Sequence, residues 1–442
     1  MIRYHARWVL PISRPPIRDG TVVEFGGRIT YVGPRRDAPP GQDRDLGAAV
    51  LIPGLVNAHT HLELTAFRGL LEALPFREWI AALQGAKTAV MTRARYLDAA
   101  RSGIVEGLRA GITSYADSCD SGVALQAMRD AGVRGIMYQE VFGPSPDPAA
   151  VSDAARELRA KLAALEPLET DTQRLGVSPH APYTVSDALF ALVARAGRPM
   201  AIHLAESAEE TALVRDAAGP FADALRRRGI PVAPRAASPV RLLEKLGVLA
   251  AKPLLIHCVR ADDADQRLIA AHDCAVAHCP ASNAKLGHGT APLTELLALG
   301  VRTGLGSDSV ASNDRMDLLD EARLAALHQR ARGGDFSTLS AARALELATL
   351  GGARALGIAD RVGTLEVGKE ADLAAFDLSD DPGTIDPAAT LIFGPTPRPA
   401  LAVVIAGTVK LWDHALLADD PMLPTRIAEA SHALSTWLSH RE

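Results

Sequence analysis

The chain has 442 residues, 22% of them charged and 48% hydrophobic, with four cysteines and a net charge of −5. That is the composition of a globular protein with a large core and more than one domain. It excludes a polybasic nucleic-acid binder, a membrane helix of the ~18 apolar residues such a span needs, and a disulfide scaffold. Arg3, His5 and Arg7 also interrupt any signal-peptide pattern at the N-terminus. The expectation is a cytoplasmic protein with reduced thiols that handles a small molecule, with neither nucleic acid nor membrane as a partner.

Residues 1–50 carry short strand-and-turn signals, as in Gly20-Thr-Val-Val-Glu-Phe-Gly-Gly-Arg-Ile-Thr-Tyr-Val-Gly33. From residue 51 the pattern changes. Apolar or turn-bounded segments at Leu51–Ala58, Ile112–Ala116, Val133–Phe142, Leu175–Ser178, Pro199–His203, Pro253–His257, Cys274–His278 and Val301–Gly306 read as strands. Alanine- and leucine-rich stretches with helical spacing alternate with them: Tyr96–Ala110, Ala149–Leu165, Asp187–Ala196, Ala208–Arg228, Val240–Leu249, Asp262–His272, Pro292–Leu299 and Met316–Arg332. Such alternation predicts an α/β fold, a (β/α)₈ TIM-type barrel over 51–361. Residues 362–420 return to period-two alternation with glycine turns. They are expected to join residues 1–50 in a small composite β-sandwich domain, followed by a helical tail over 421–442 whose surface helix runs from Thr425 to His440.

Four strand ends carry polar residues where an apolar run stops. His59-Thr60-His61 closes the first; residues two apart in a strand share a face, so these imidazoles project together and can seed a divalent metal site. A lone pair of this kind also occurs in ordinary loops. Here, however, His203 and Glu206, His257, and Asp308 occupy equivalent positions further along, which argues for one shared site at the C-terminal face of the barrel. Cys274 and Cys279 with His272 and His278 suggest a second cluster only superficially, because Ala275-Val-Ala277 reads as a strand with alternating faces.

The motifs Pro53-Gly-Leu-Val-Asn-Ala-His-Thr-His61, Ser178-Pro-His-Ala-Pro-Tyr-Thr184, His203-Leu-Ala-Glu206, His257-Cys258, His278-Cys-Pro-Ala-Ser-Asn-Ala-Lys-Leu286, Gly306-Ser-Asp308 and Gly363-Thr-Leu-Glu-Val-Gly-Lys-Glu-Ala-Asp372 span nearly the whole chain. Together they resemble the amidohydrolase superfamily, in its cytosine-deaminase-like and chlorohydrolase-like branch. The resemblance implies one divalent metal ion, Zn²⁺ first and Fe²⁺ second, held by His59, His61, His203 and Asp308. Binuclear relatives use a lysine at the end of the fourth strand, and Arg174-Leu-Gly-Val-Ser-Pro-His180 has none. By the same resemblance Glu206 protonates a ring nitrogen and shuttles protons, His257 orients the attacking water, and Asp308 accepts the water proton.

For the substrate, His180 at the fourth strand end is either a contact or a buried structural histidine, Asn283 sits above the seventh strand, and the segment Phe67–Lys87, which contains Arg68, Glu72, Trp79 and Gln84, would arch over the pocket mouth. Adenosine- and adenosylhomocysteine-deaminating relatives hold the ribose hydroxyls with a lid glutamate, and Thr88 falls near that position here. The run Gly306-Ser-Asp-Ser-Val-Ala-Ser-Asn-Asp-Arg-Met-Asp-Leu-Leu-Asp-Glu321 looks most like the aminodeoxyfutalosine deaminase branch of menaquinone biosynthesis, whose substrate bears a benzoate; Arg68 or Arg315 would supply its cation. Aminopurine deamination leads. Guanine or pterin deamination, triazine dechlorination and cyclic-amide opening are alternatives on the same scaffold, as is a catalytically dead binding module, which the complete ligand set argues against. A homodimer is compatible with such a barrel.

Overall fold

In the computed structural model, which describes residues 1–395 and 398–440, the two ends of the chain meet in one nine-stranded sheet. Thr396 and Pro397 of the expected β domain, and the last two residues of the expected tail, lie outside the described residues. The joint is Ala49–Pro53, which pairs in parallel with Ile2–Val9 and antiparallel with Leu373–Asp377. Tyr4, Val22, Ile29, Leu51, Leu373 and Val404 form the core of this sandwich-like unit.

Eight parallel strands make the barrel, in two four-stranded sheets. The first holds Leu55–Thr60, Ile112–Cys119, Arg134–Val141 and Gln173–Pro179; the second holds Ala201–Leu204, Leu254–His257, Ala275–His278 and Arg302–Leu305. Single parallel bridges, Val177↔Met200 and Thr60↔Asp308, join the sheets at both seams. Most of these strand residues are buried, as expected where helices cover a parallel sheet. Small side chains let the circle close near the site: a Cβ on Gly306 would lie 2.8 Å from the Cβ of His59.

Three details depart from the sequence reading. The run Leu51–Ala58 is not one strand: the chain leaves the terminal sheet at Pro53 and enters the barrel at Leu55. Both halves are buried, so hydrophobicity gave no sign of the break, although Gly54 marks it by passing so close to Thr113 that a Cβ would sit 2.2 Å from its Oγ1. A helix at Val123–Ala131, bounded by left-handed Gly122 and Gly132, escaped the pattern. The stretch Ala208–Arg228 is two helices, Ala208–Asp216 and Gly219–Arg227, separated by Ala217 in the left-handed region.

The last helix, Leu423–Ser439, is more than a surface appendage. Ala430 and Leu434 are buried, Ser431 Oγ donates to Ala66 O at 2.8 Å, and Arg426 pairs with Asp98 at 2.9 Å. It thereby braces the lid that follows the first barrel strand. No helix is long and apolar enough to cross a membrane among the described residues.

Barrel and terminal sheet are tied by Arg134, buried at the start of the third barrel strand, which pairs with Asp372 at 3.1 Å and with Glu370. Removing one partner of a buried ion pair leaves uncompensated charge, at a cost of about 3–5 kcal/mol. Arg134→Leu is therefore expected to lower the denaturation midpoint markedly by chemical unfolding. A midpoint within error of wild type would show that the pair contributes no net stability.

Candidate active site

The polar residues at the strand ends converge. His59 lies within the first barrel strand and His61 just beyond it, with ring centroids 4.8 Å apart. His203 approaches from the fifth strand, its Nε2 at 3.2 Å from that of His61. Asp308 Oδ1 is 3.2 Å from His59 Nε2 and 3.7 Å from His61 Nε2. His59 Nε2 and His203 Nδ1 are buried without hydrogen-bond partners. An orphaned His59 Nε2 facing the Asp308 carboxylate, beside the paired Nε2 atoms of His61 and His203, is what a bound cation would satisfy, and three imidazoles with one carboxylate suit Zn²⁺.

Electrostatics keep these donors ready. Burial pushes the imidazoles down, His61 to about 4 and His203 well below its ordinary value, so both stay neutral with a free lone pair. Burial would raise Asp308, but the facing imidazoles of His59, His257 and His61 hold it well below the usual range. Ser282 Oγ at 2.6 Å, Ser309 N at 2.6 Å and Ser312 Oγ at 3.2 Å all donate to its carboxylate. Backbone strain marks the same places. Ala205, His257 and Asp308 all take positive φ, a conformation that persists only where surrounding structure enforces it and that clusters at functional sites.

Glu206 is not a solvated helix-start carboxylate. It is 4% exposed, with Oε1 at 3.5 Å from His257 Nε2 and 3.4 Å from His288 Nε2. Glu210 fixes the turn that carries it, accepting from the backbone N–H of Ala205 at 3.0 Å and of Glu206 at 2.8 Å. His257 Nδ1 is 2.9 Å from Asn283 Oδ1. Asn283 therefore orients His257 and is absent from the pocket wall, a correction to its reading as a substrate contact.

A cavity of about 440 Å³, a size suited to a small molecule, opens from this cluster. His180 lines it, its Nδ1 at 2.9 Å from Thr184 Oγ1, and burial lowers its pKa to about 3. Trp79 stands in the wall with Phe76, Ile80, Phe142, Phe221 and Leu225, and its indole N–H has no partner. The expected cations do not reach the cavity. Arg68 is drawn outward to Glu106 and the carbonyl of Asp314, and Arg315 pairs with Asp320 at 3.3 Å. Both sit on exposed loops near the strand ends in sequence, which is not the same as facing the pocket. Arg77 and Arg228 line it instead, and neither guanidinium has a hydrogen bond or ion pair among the described residues.

Residues the sequence did not single out complete the site. His288, in Leu286-Gly-His-Gly289, packs edge-on against Phe76 at 4.5 Å while facing Glu206. Lys87 enters from the helix Phe76–Val90, whereas Thr88 is exposed and turns back to Gln84 O at 2.9 Å. Glu140 lies near the end of the third strand, where Val141 and Phe142 beyond it hide it inside the apolar run Val133–Phe142. The four cysteines are buried and free, and none belongs to a candidate metal cluster among the described residues.

Residues 50–410 match the amidohydrolase family. Over 417 residues the chain is 33% identical to a 5-methylthioadenosine/S-adenosylhomocysteine deaminase of Nitratidesulfovibrio vulgaris (strain DP4), which covers 91% of this chain and 89% of the relative. The crystal structure of an adenosine deaminase from Xanthomonas campestris with bound zinc has a TM-score of 0.86 and 30% identity, over 98% of each chain. Helicobacter pylori aminofutalosine deaminase, in complex with methylthio-coformycin, shares the fold at 20% identity, with a TM-score of 0.80 over 92% of this chain and 100% of that one.

Proposed function

The chain belongs to the amidohydrolase family, and from that premise we propose that it is a metal-dependent hydrolytic deaminase of an aminopurine nucleoside. The observation that carries this reading is Glu206, buried beside the His59, His61, His203 and Asp308 cluster and clasped between His257 and His288. A proton carrier that is not needed as a ligand, set next to a metal-type donor set, is what replacement of a ring amino group by water requires.

His59, His61, His203 and Asp308 would hold one divalent ion, Zn²⁺ in the first place and Fe²⁺ in the second. When bound, it makes water at the site acidic enough to attack near neutral pH. Glu206, ionised at the outset, takes one of the water's protons and delivers it to the ring nitrogen. Asp308 takes the other, which Glu206 relays to the departing amino group, and ammonia leaves. His257, fixed by Asn283, places Nε2 between Glu206 and Asp308 Oδ2, at 3.5 Å and 4.0 Å, where it stabilises charge on the attacked carbon.

The finer proposal is that the nucleoside carries a bulky 5′ substituent ending in an anion, with aminodeoxyfutalosine as the substrate. Its support is a cavity that combines the donor cluster, the aromatic side chains of Phe76, Trp79, Phe142 and Phe221, and two arginines with no ion pair among the described residues, Arg77 and Arg228. The 33% identical relative favours a second reading, 5-methylthioadenosine or S-adenosylhomocysteine. All these substrates share the reacting ring and amino group, so discrimination must come from remote contacts whose binding energy is used in the transition state. We expect kcat/KM for aminodeoxyfutalosine to exceed that for adenosine by ~10²-fold or more. Arg77→Ala or Arg228→Ala should erode the carboxylated substrate's advantage while changing adenosine little. A panel of the four nucleosides, read by ammonia release, decides. Equal efficiency on adenosine would refute the substrate assignment, and no turnover of any aminopurine would refute the deaminase reading.

A further inference from the structure

One buried acid on the pocket wall has no part in the proton transfers. Glu140 is 4% exposed, and its Oε1 has no hydrogen-bond partner; the nearest base, His180 Nε2, is 4.0 Å away. A buried carboxyl on a cavity wall with no partner from the protein is one that a group in the cavity can satisfy. Lys87 is not that partner alone, because its charge is already matched. Glu63 lies 3.5 Å from Lys87 Nζ and accepts from Cys119 Sγ and Ser121 N, each at 3.1 Å. Burial raises Glu63, yet Lys87 and these donors bring it below its ordinary value. Burial pushes Glu140 up to about 8 despite Lys87.

The surroundings select the ligand's chemistry. A carboxylate or phosphate would find no free cation, because Lys87 is matched by Glu63 at 3.5 Å and Lys161 by Asp120 at 3.3 Å. An ammonium ligand would face Lys87. What fits is a neutral group that donates and accepts at adjacent positions, and a vicinal diol does both. Placement agrees. Around the rim, Glu140 on the third strand and His180 on the fourth flank the side of His203 away from His257 and Asp308. Glu140, His180 and His203 keep their side-chain donor atoms within 4.8 Å of one another on the cavity wall, so a nucleoside held at the donor cluster passes Glu140.

We propose that Glu140 and Lys87 form a hydroxyl-binding subsite that grips the sugar diol of the substrate, in place of a lid carboxylate at Thr88. The subsite rests on the nucleoside-deaminase reading.

Binding of inosine and 2′,3′-dideoxyinosine, which have no amino group to lose, separates the two claims by calorimetry on the metal-loaded enzyme. Wild type should bind inosine at least ~10-fold more tightly. Glu140→Met should bring the two within ~3-fold, and Glu140→Gln, which keeps a donor and an acceptor, should preserve most of the preference. Glu140→Met should also melt at or above the wild-type Tm, because it replaces an orphaned polar group with an apolar one of similar size. Equal binding by wild type, a preference unchanged in Glu140→Met, or a lower Tm with the preference intact would each overturn the subsite. Adenosine turnover on the same preparations reads the deaminase claim separately. Diol preference without turnover of any aminopurine removes the deaminase reading and leaves the subsite; turnover without diol preference does the reverse.

Discussion

His61→Ala is expected to abolish both metal retention and deamination. The wild-type protein should carry about one equivalent of Zn²⁺ or Fe²⁺, because three imidazoles and one carboxylate make a single four-ligand set. His61 is the most replaceable of the four for the fold: it lies just past the strand, and alanine there leaves the backbone path unchanged. Its loss, however, takes one imidazole from a set in which His59 and Asp308 are only 3.2 Å apart. Elemental analysis and ammonia release on the same sample test both halves. Activity with full metal occupancy in the variant would remove His61 from the ligand set. Two tightly bound equivalents in wild type would overturn the one-metal reading, and Glu140, His180 and His203 are where a second ion would find three donors.

The residues that were legible in the sequence are those whose position follows from strand geometry. His59, His203, His257 and Asp308 each sit where an apolar run ends, and the barrel brings such ends together whatever the loop lengths. Glu140 lies near a strand end too, but Val141 and Phe142 beyond it masked it. His288 and Lys87 were illegible for another reason. One rides a glycine-flanked loop and the other a lid helix, and periodicity cannot say which way either leans. Arg68 and Arg315 show the opposite error, since nearness in sequence to a strand end does not decide whether a long, flexible side chain turns inward or pairs with Glu106 or Asp320 outside. The break at Gly54 was hidden because a continuous apolar run fits one long strand or two short ones equally well.

Glu206→Gln is expected to keep the metal and the fold while kcat falls by ~10²-fold or more, the scale of general acid–base catalysis. Glutamine matches the shape and can still accept from His288, so the pocket should stay intact and KM should move little. What it cannot do is give a proton to the ring nitrogen or carry one to the leaving amino group. The two imidazoles that face Glu206, at 3.4 Å and 3.5 Å, make the test sharper. Burial raises this carboxyl, but His257 and His288 outweigh it and hold Glu206 below its ordinary value, so at neutral pH it is ready to take a proton. If His257 or His288 could replace Glu206 as the carrier, the glutamine variant would retain near-normal turnover, and the shuttle role would pass to one of them. Loss of kcat together with loss of metal would point instead to a structural part for Glu206 in holding His203. Only the loss of kcat with metal content and KM preserved assigns it the proton.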